Sequence, residues 1–126
     1  MTKRKVNVNA RGDLENSVTK AWQDRAEFTT STGSLHSEIR PADRTFVNPY
    51  RLTNPDDLWA LTKAQDTVRA NEGYTLYIVF SYITPIAWSV ISPDGVIIST
   101  HHVSQKFSVT TSKHCGRLWD MPKGAN

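Results

Sequence analysis

The sequence predicts an α+β fold: one helix, a three-stranded antiparallel sheet and a short C-terminal helix, preceded by a weakly folded polar N-terminal region. Three features carry that expectation. A capping signal at Thr53-Asn54-Pro55 opens an amphipathic stretch, the twenty residues from Tyr74 to Pro93 contain no Lys, Arg, Asp or Glu, and Ser92-Pro93-Asp94-Gly95 is a turn within the apolar half of the chain.

A length of 126 residues suits one domain, and the formal charge of +3 permits an anionic partner without requiring one. The single cysteine, Cys115, rules out an internal disulfide and a cysteine-based zinc site, and fits a reducing compartment. Basic residues near the N-terminus are followed by no apolar run, which argues against a secretory signal. The stretch YTLYIVFSYITPIAWSVI has the length of a short membrane span, but Pro85 at its centre and its β-branched and aromatic content suit strands instead. No membrane association is expected.

Residues 1–45 are polar, with one helical stripe at Leu14, Val18, Ala21 and Trp22 and a loop or edge strand around Ser34 to Ile39. They read as a tail with a short helix, ahead of a small α+β domain at 46–121 and a tail at 122–126. Within that domain a helix is expected over residues 55–70. Asn54 caps it, Pro55 takes the first helical position, and Asp56 and Asp57 complement the helix dipole. Leu58, Leu61, Ala64 and Val68 form its buried stripe with Trp59 beside them, and Gly73 offers a left-handed residue to end it.

From Tyr74 the period changes to two. Both faces of this strand carry apolar residues, so both must be covered. Proline cannot donate to a ladder, and the chain is expected to reverse or bulge at Ile83-Thr84-Pro85. A second strand then runs Ile86 to Ile91, and a third follows the Gly95 turn from Val96 to Val103. TTSKHCGRLW forms the last helix, capped by Thr110 or Thr111, with Cys115, Leu118 and Trp119 on one face and Lys113 and Arg117 on another.

SYITPIAW at 81–88 and QKFSVTTSKH at 105–114 resemble a family of small uncharacterised bacteriophage proteins whose pattern is SY-x-TPIA followed by YS-x-TTS-K/R-HQ. The likeness covers residues 74–115. Phe107 stands where that family usually has tyrosine, Cys115 where it often has glutamine, and the helix at 55–70 looks like an insertion. The resemblance implies a phage accessory protein acting in the host cytoplasm, and it supplies no settled activity.

Two surfaces are candidates for function. The first is basic. Thr110, Thr111, Ser112 and His114 stand at a helix start whose free N–H groups suit an anion, and Lys106, Lys113 and Arg117 share a stretch without acids from Gly95 to Trp119. The hydroxyls there serve either as plain caps beside solvated cations or as contacts to nucleic-acid phosphate, made with little regard to base sequence. The second is apolar. The charge-free strands exceed what two short helices cover, and Tyr77, Tyr82 and Trp88 suit a protein interface.

Catalysis and metal binding fare less well. His114 has no carboxylate near it in sequence and Cys115 shares an apolar face, so no catalytic residue is assigned and the chain is read as a non-enzyme. His101 and His102 are neighbours on a strand, leave opposite faces and cannot close on one ion, so neither metal nor cofactor is expected. The preferred reading is a binding module for a host protein, with a homodimer as another way to cover the apolar face. Weak, sequence-independent nucleic-acid binding through the basic C-terminal surface is the alternative.

Overall fold

The computed structural model of the protein describes residues 3–6, 17–49 and 52–103. The elements follow the order β1 (Arg4–Val6), α1 (Val18–Gln23), β2 (Phe28–Thr30), β3 (Leu35–Pro41), a 3-10 turn (Ala42–Arg44), α2 (Pro55–Ala70), β4 (Thr75–Ser81), β5 (Thr84–Ile91) and β6 (Ile97–His102). The strands make one six-stranded sheet in chain order from β1 to β6. β1 runs parallel to β2, and every other neighbouring pair is antiparallel.

This corrects the expected fold. An α+β class holds, but the sheet is mixed and six-stranded rather than antiparallel and three-stranded, and the described part of the polar N-terminal region supplies β1, β2 and β3 to it. The expected C-terminal helix lies outside the described residues.

The N-terminal correction has a physical cause in buried hydroxyls. Ser37 is fully buried, accepting from the Phe28 amide at 3.0 Å and donating to the Ala26 carbonyl at 3.2 Å. Thr30 is bonded through its hydroxyl to both backbone groups of Leu35 at 3.3 Å. Such residues look solvated in the sequence, yet each replaces a ladder bond that three-residue β2 is too short to supply. β3 is also an interior strand, pairing with β4 from Leu35 opposite Ser81 to Pro41 opposite Thr75.

Both faces of the sheet are dry at its centre. Tyr77, Val79 and Ala87 join Leu35 and Phe28 against Val18, Ala21 and Trp22 of α1. Leu76, Ile78, Phe80, Trp88 and Val90 pack against Leu61, Ala64 and Val68 of α2. Alternate residues of β4 thus serve opposite cores, which accounts for the absence of charge.

Local signals set the helix ends. The Ser17 hydroxyl accepts from the Lys20 amide at 3.0 Å and opens α1, whose buried residues Val18, Ala21 and Trp22 continue the stripe expected from the sequence. Leu14 lies outside the described residues. Asn54 caps α2 by accepting from the amides of Asp56 and Asp57 at 2.9 and 3.2 Å, and the helix spans the expected residues. Trp59, however, is 65% exposed rather than part of the core.

The hairpin turns fall close to their expected places. β4 and β5 are joined through Tyr82 and Ile83, with Tyr82 at a φ of 59°. Pro85 lies inside β5, opposite Phe80, while Ala87 faces Val79, so Ile86 is the extra residue of a bulge. Gly95 closes the next turn at a φ of 86°. Gly73, at a φ of 83°, leaves α2 so close to that turn that a Cβ would sit 2.7 Å from Pro93 Cγ.

Trp22→Ala and Trp88→Ala are each expected to lose about 3–5 kcal/mol of unfolding free energy in a urea titration, because each empties the middle of one core. An unchanged midpoint for Trp22→Ala would remove α1 from the structural core.

Candidate functional site

The outermost strands of the sheet are guarded differently. β1 reads RKV, and charges of that kind keep an edge from pairing with another chain. β6, outermost on the other side among the described residues, reads IISTHH and contains no Lys, Asp, Glu or Pro. Val96, Ile97 and Ile98 are exposed along it.

The hydrogen-bond phase of this edge follows from its end. The Val103 amide donates to the Ile86 carbonyl at 3.1 Å, and His101 stands opposite Trp88. Bonded and outward-facing positions alternate in an antiparallel ladder, so the backbone N–H and C=O of Thr100 face away from β5.

A groove runs beside the edge. Between α2 and β6 lies a cavity of about 150 Å³ walled by Trp59, Ala64, Trp88 and His101, with Lys63 also lining it. The Lys63 ammonium sits 5.1 Å from the centroid of the Trp59 ring.

Its inner wall holds a polar pair. Asp57 is fully buried in the first turn of α2, and its Oδ1 lies 2.8 Å from His101 Nε2. The His101 ring stacks on Trp88 with centroids 5.0 Å apart and planes 24° from parallel. An ionised carboxylate only accepts, so Nε2 carries the hydrogen and donates to Asp57. His101 Nδ1 has no hydrogen-bond partner among the described residues. Sequence reasoning took Asp57 for a dipole partner alone, because no linear pattern ties it to a histidine forty-four positions on.

On the opposite face Arg25 holds the same strand. Its guanidinium lies 3.9 Å from the Trp22 ring centroid and donates to Ser89 Oγ at 2.9 Å, Thr100 Oγ1 at 3.2 Å and the Trp22 carbonyl at 2.5 Å. β6 is therefore clamped from both sides.

Of the residues singled out in the sequence, Tyr77 and Trp88 are buried in this chain's own cores, and the Tyr77 hydroxyl donates to the Ala26 carbonyl at 2.8 Å. Tyr82 is exposed at the β4–β5 turn. Lys106, Thr110, Thr111, Ser112, Lys113, His114 and Arg117 lie outside the described residues. His101 and His102 do take opposite faces, one on Trp88 and the other 5.2 Å from Trp22. Among the described residues no group of side chains is arranged to hold a metal ion, and no helix is long and apolar enough to cross a membrane.

A roomier hollow of about 560 Å³ lies beside β3, bordered by Glu27, Glu38, Arg40 and Phe46. Its carboxylates are already engaged. Glu27 accepts from the Ile39 amide at 2.7 Å, and Glu38 pairs with Arg40 at 2.7 Å. Burial pushes the Glu38 carboxyl up, but the Arg40 hydrogen bond and charge, with Lys3, outweigh it and hold the group below its ordinary 4.5. His36, stacked on Phe80, is held below its ordinary 6.5 first by burial and then by the Lys3 charge.

The fold and the edge define a class: an α+β domain whose mixed sheet lies between helices and whose outer strand β6 is, among the described residues, without Lys, Asp, Glu or Pro. The chain belongs to a family of unknown function (DUF8033), whose sequence profile matches residues 51–125. The matched stretch takes in α2 as well as β4, β5 and β6, so the helix read as an insertion lies within the family's segment. No curated protein and no solved structure matches the chain.

Acidification should lower stability in two steps. A histidine whose folded pKa is depressed destabilises the fold as pH falls through 6.5 toward the folded value, and a depressed glutamate loses its contribution as pH falls from 4.5 toward its own. His36→Gln should abolish the upper step in a series of melts from pH 8 to pH 3. Separately, Asp57→Ala should cost about 1–3 kcal/mol, because it leaves His101 Nε2 without its acceptor. A melt indistinguishable from wild type would show that the pair does not hold α2 to β6.

Proposed function

We propose that the chain is a non-enzymatic binding module that takes up an extended segment of another protein as an added strand along β6. The observation that supports this best is the contrast between the two outermost strands of the described residues, one bearing adjacent cations and the other without Lys, Asp, Glu or Pro and with Ile97 and Ile98 exposed. Strand addition draws affinity from main-chain hydrogen bonds and specificity from alternate side chains entering pockets. Thr100 offers the former, and the groove under Trp59 receives the latter. The resemblance to small bacteriophage proteins favours a host protein, met in the host cytoplasm, as the partner.

On this reading Tyr77 is consumed by the fold, whereas Trp88, also buried, serves as an inner wall of the groove, and the expected class of partner is kept. Binding of nucleic acid through Lys106, Lys113 and Arg117 is the competing reading, and the two differ in their response to salt and nuclease.

The test is capture from nuclease-treated host lysate, followed by hydrogen exchange on the isolated complex. A protein should remain bound after digestion, and the Thr100 amide should exchange more slowly in the complex. Trp59→Ala and Ile98→Lys, both at exposed positions, should each weaken capture about tenfold with unchanged melting, as loss of a central aromatic or a charge on an apolar edge does. Lys113→Glu and Arg117→Glu should have no effect. Loss of binding with nuclease, or β6 amides that exchange alike in free and bound protein, overturns the proposal. So does concentration-dependent self-association that protects β6, which would make a second copy the occupant.

A further inference from the structure

We infer that the cavity between α2 and β6 is the side-chain pocket of this strand-addition site and that it receives a carboxylate from the docked segment. The inference rests on the added-strand reading and deepens it. In a strand laid along β6, every second side chain points to the α2 face, and one of them passes His101. That side chain meets the cavity of about 150 Å³, a volume suited to a single residue.

The lining sets the chemistry. Among the described residues Lys63 is the one fully charged member of the lining, and none of them that walls it is an acid. Of the nearby acids, Asp57 is buried on His101, and Asp66 is bonded to Arg69 at 2.6 Å. Apolar walls from Trp59, Ala64 and Trp88 exclude water and strengthen a charge pair formed between them.

His101 adds direction. With Nε2 committed to Asp57, the neutral ring presents only an acceptor at Nδ1, whereas the protonated ring presents a donor there. The cation that the pocket offers an arriving carboxylate is therefore Lys63. Among the described residues the charged and titratable groups around this ring are Asp57 and Lys63, both from α2, while β5 contributes Trp88.

Two blocked peptides test this with the full chain, acetyl-Thr-Val-Glu-Val-Thr-amide and the same peptide with Gln at its centre, titrated by calorimetry while hydrogen exchange reports on β6. The Glu peptide is expected to bind at least about threefold more tightly, the scale of one partly screened ion pair. That preference should vanish in Lys63→Gln, whose exposed position leaves melting unchanged. Equal binding of both peptides with protected β6 amides overturns the carboxylate inference and leaves strand addition standing. Binding of neither peptide overturns both.

Discussion

The hairpin of β4 and β5 has to be dry on both faces, and most other elements are placed by that requirement. From Leu76 to Ser81, and again from Thr84 to Val90, every residue is buried. At roughly 1.5–3 kcal/mol for each large apolar side chain fully buried, such a hairpin is the dominant source of stability and cannot exist uncovered. α2 covers one face with a stripe set by its own sequence. The other face is left to α1, six residues long and too short to persist alone, so its helicity follows from the docking of Trp22.

What was legible in the sequence was what local chemistry encodes. α2 has its cap, its proline and its stripe in consecutive residues, and the turns at Gly73 and Gly95 announce themselves by residue type. The N-terminal strands carry no such signal. Leu35, Ser37 and Ile39 alternate with His36, Glu38 and Arg40, but the polar members spoil the apolar rhythm until pairing gives Ser37 two backbone partners. Trp59 misled in the other direction: its size suggested core, whereas its position on α2 puts it at the rim of a groove. Asp57 illustrates a further limit, since a buried carboxylate is recognisable only with its histidine in place.

The edge strand gains meaning from how firmly it is held. Arg25 grips it through Thr100 on one face, and Asp57 grips it through His101 on the other. A strand already fixed in its extended form spends little ordering entropy when another chain lies against it. β6 is thus held extended from both faces while Ile97 and Ile98 stay exposed, which is the condition the proposed strand addition requires.

The corner where α2 hands over to β4 has a different implication. Gly73 has a left-handed backbone and a proline ring where its side chain would grow. Natural drift at these two positions thus has an obligatory order: the ring at 93 must shrink first, and only then can residue 73 acquire a Cβ, with Asn or Asp the first to be tolerated. One steric contact thus ties the residue choices of two separate loops together.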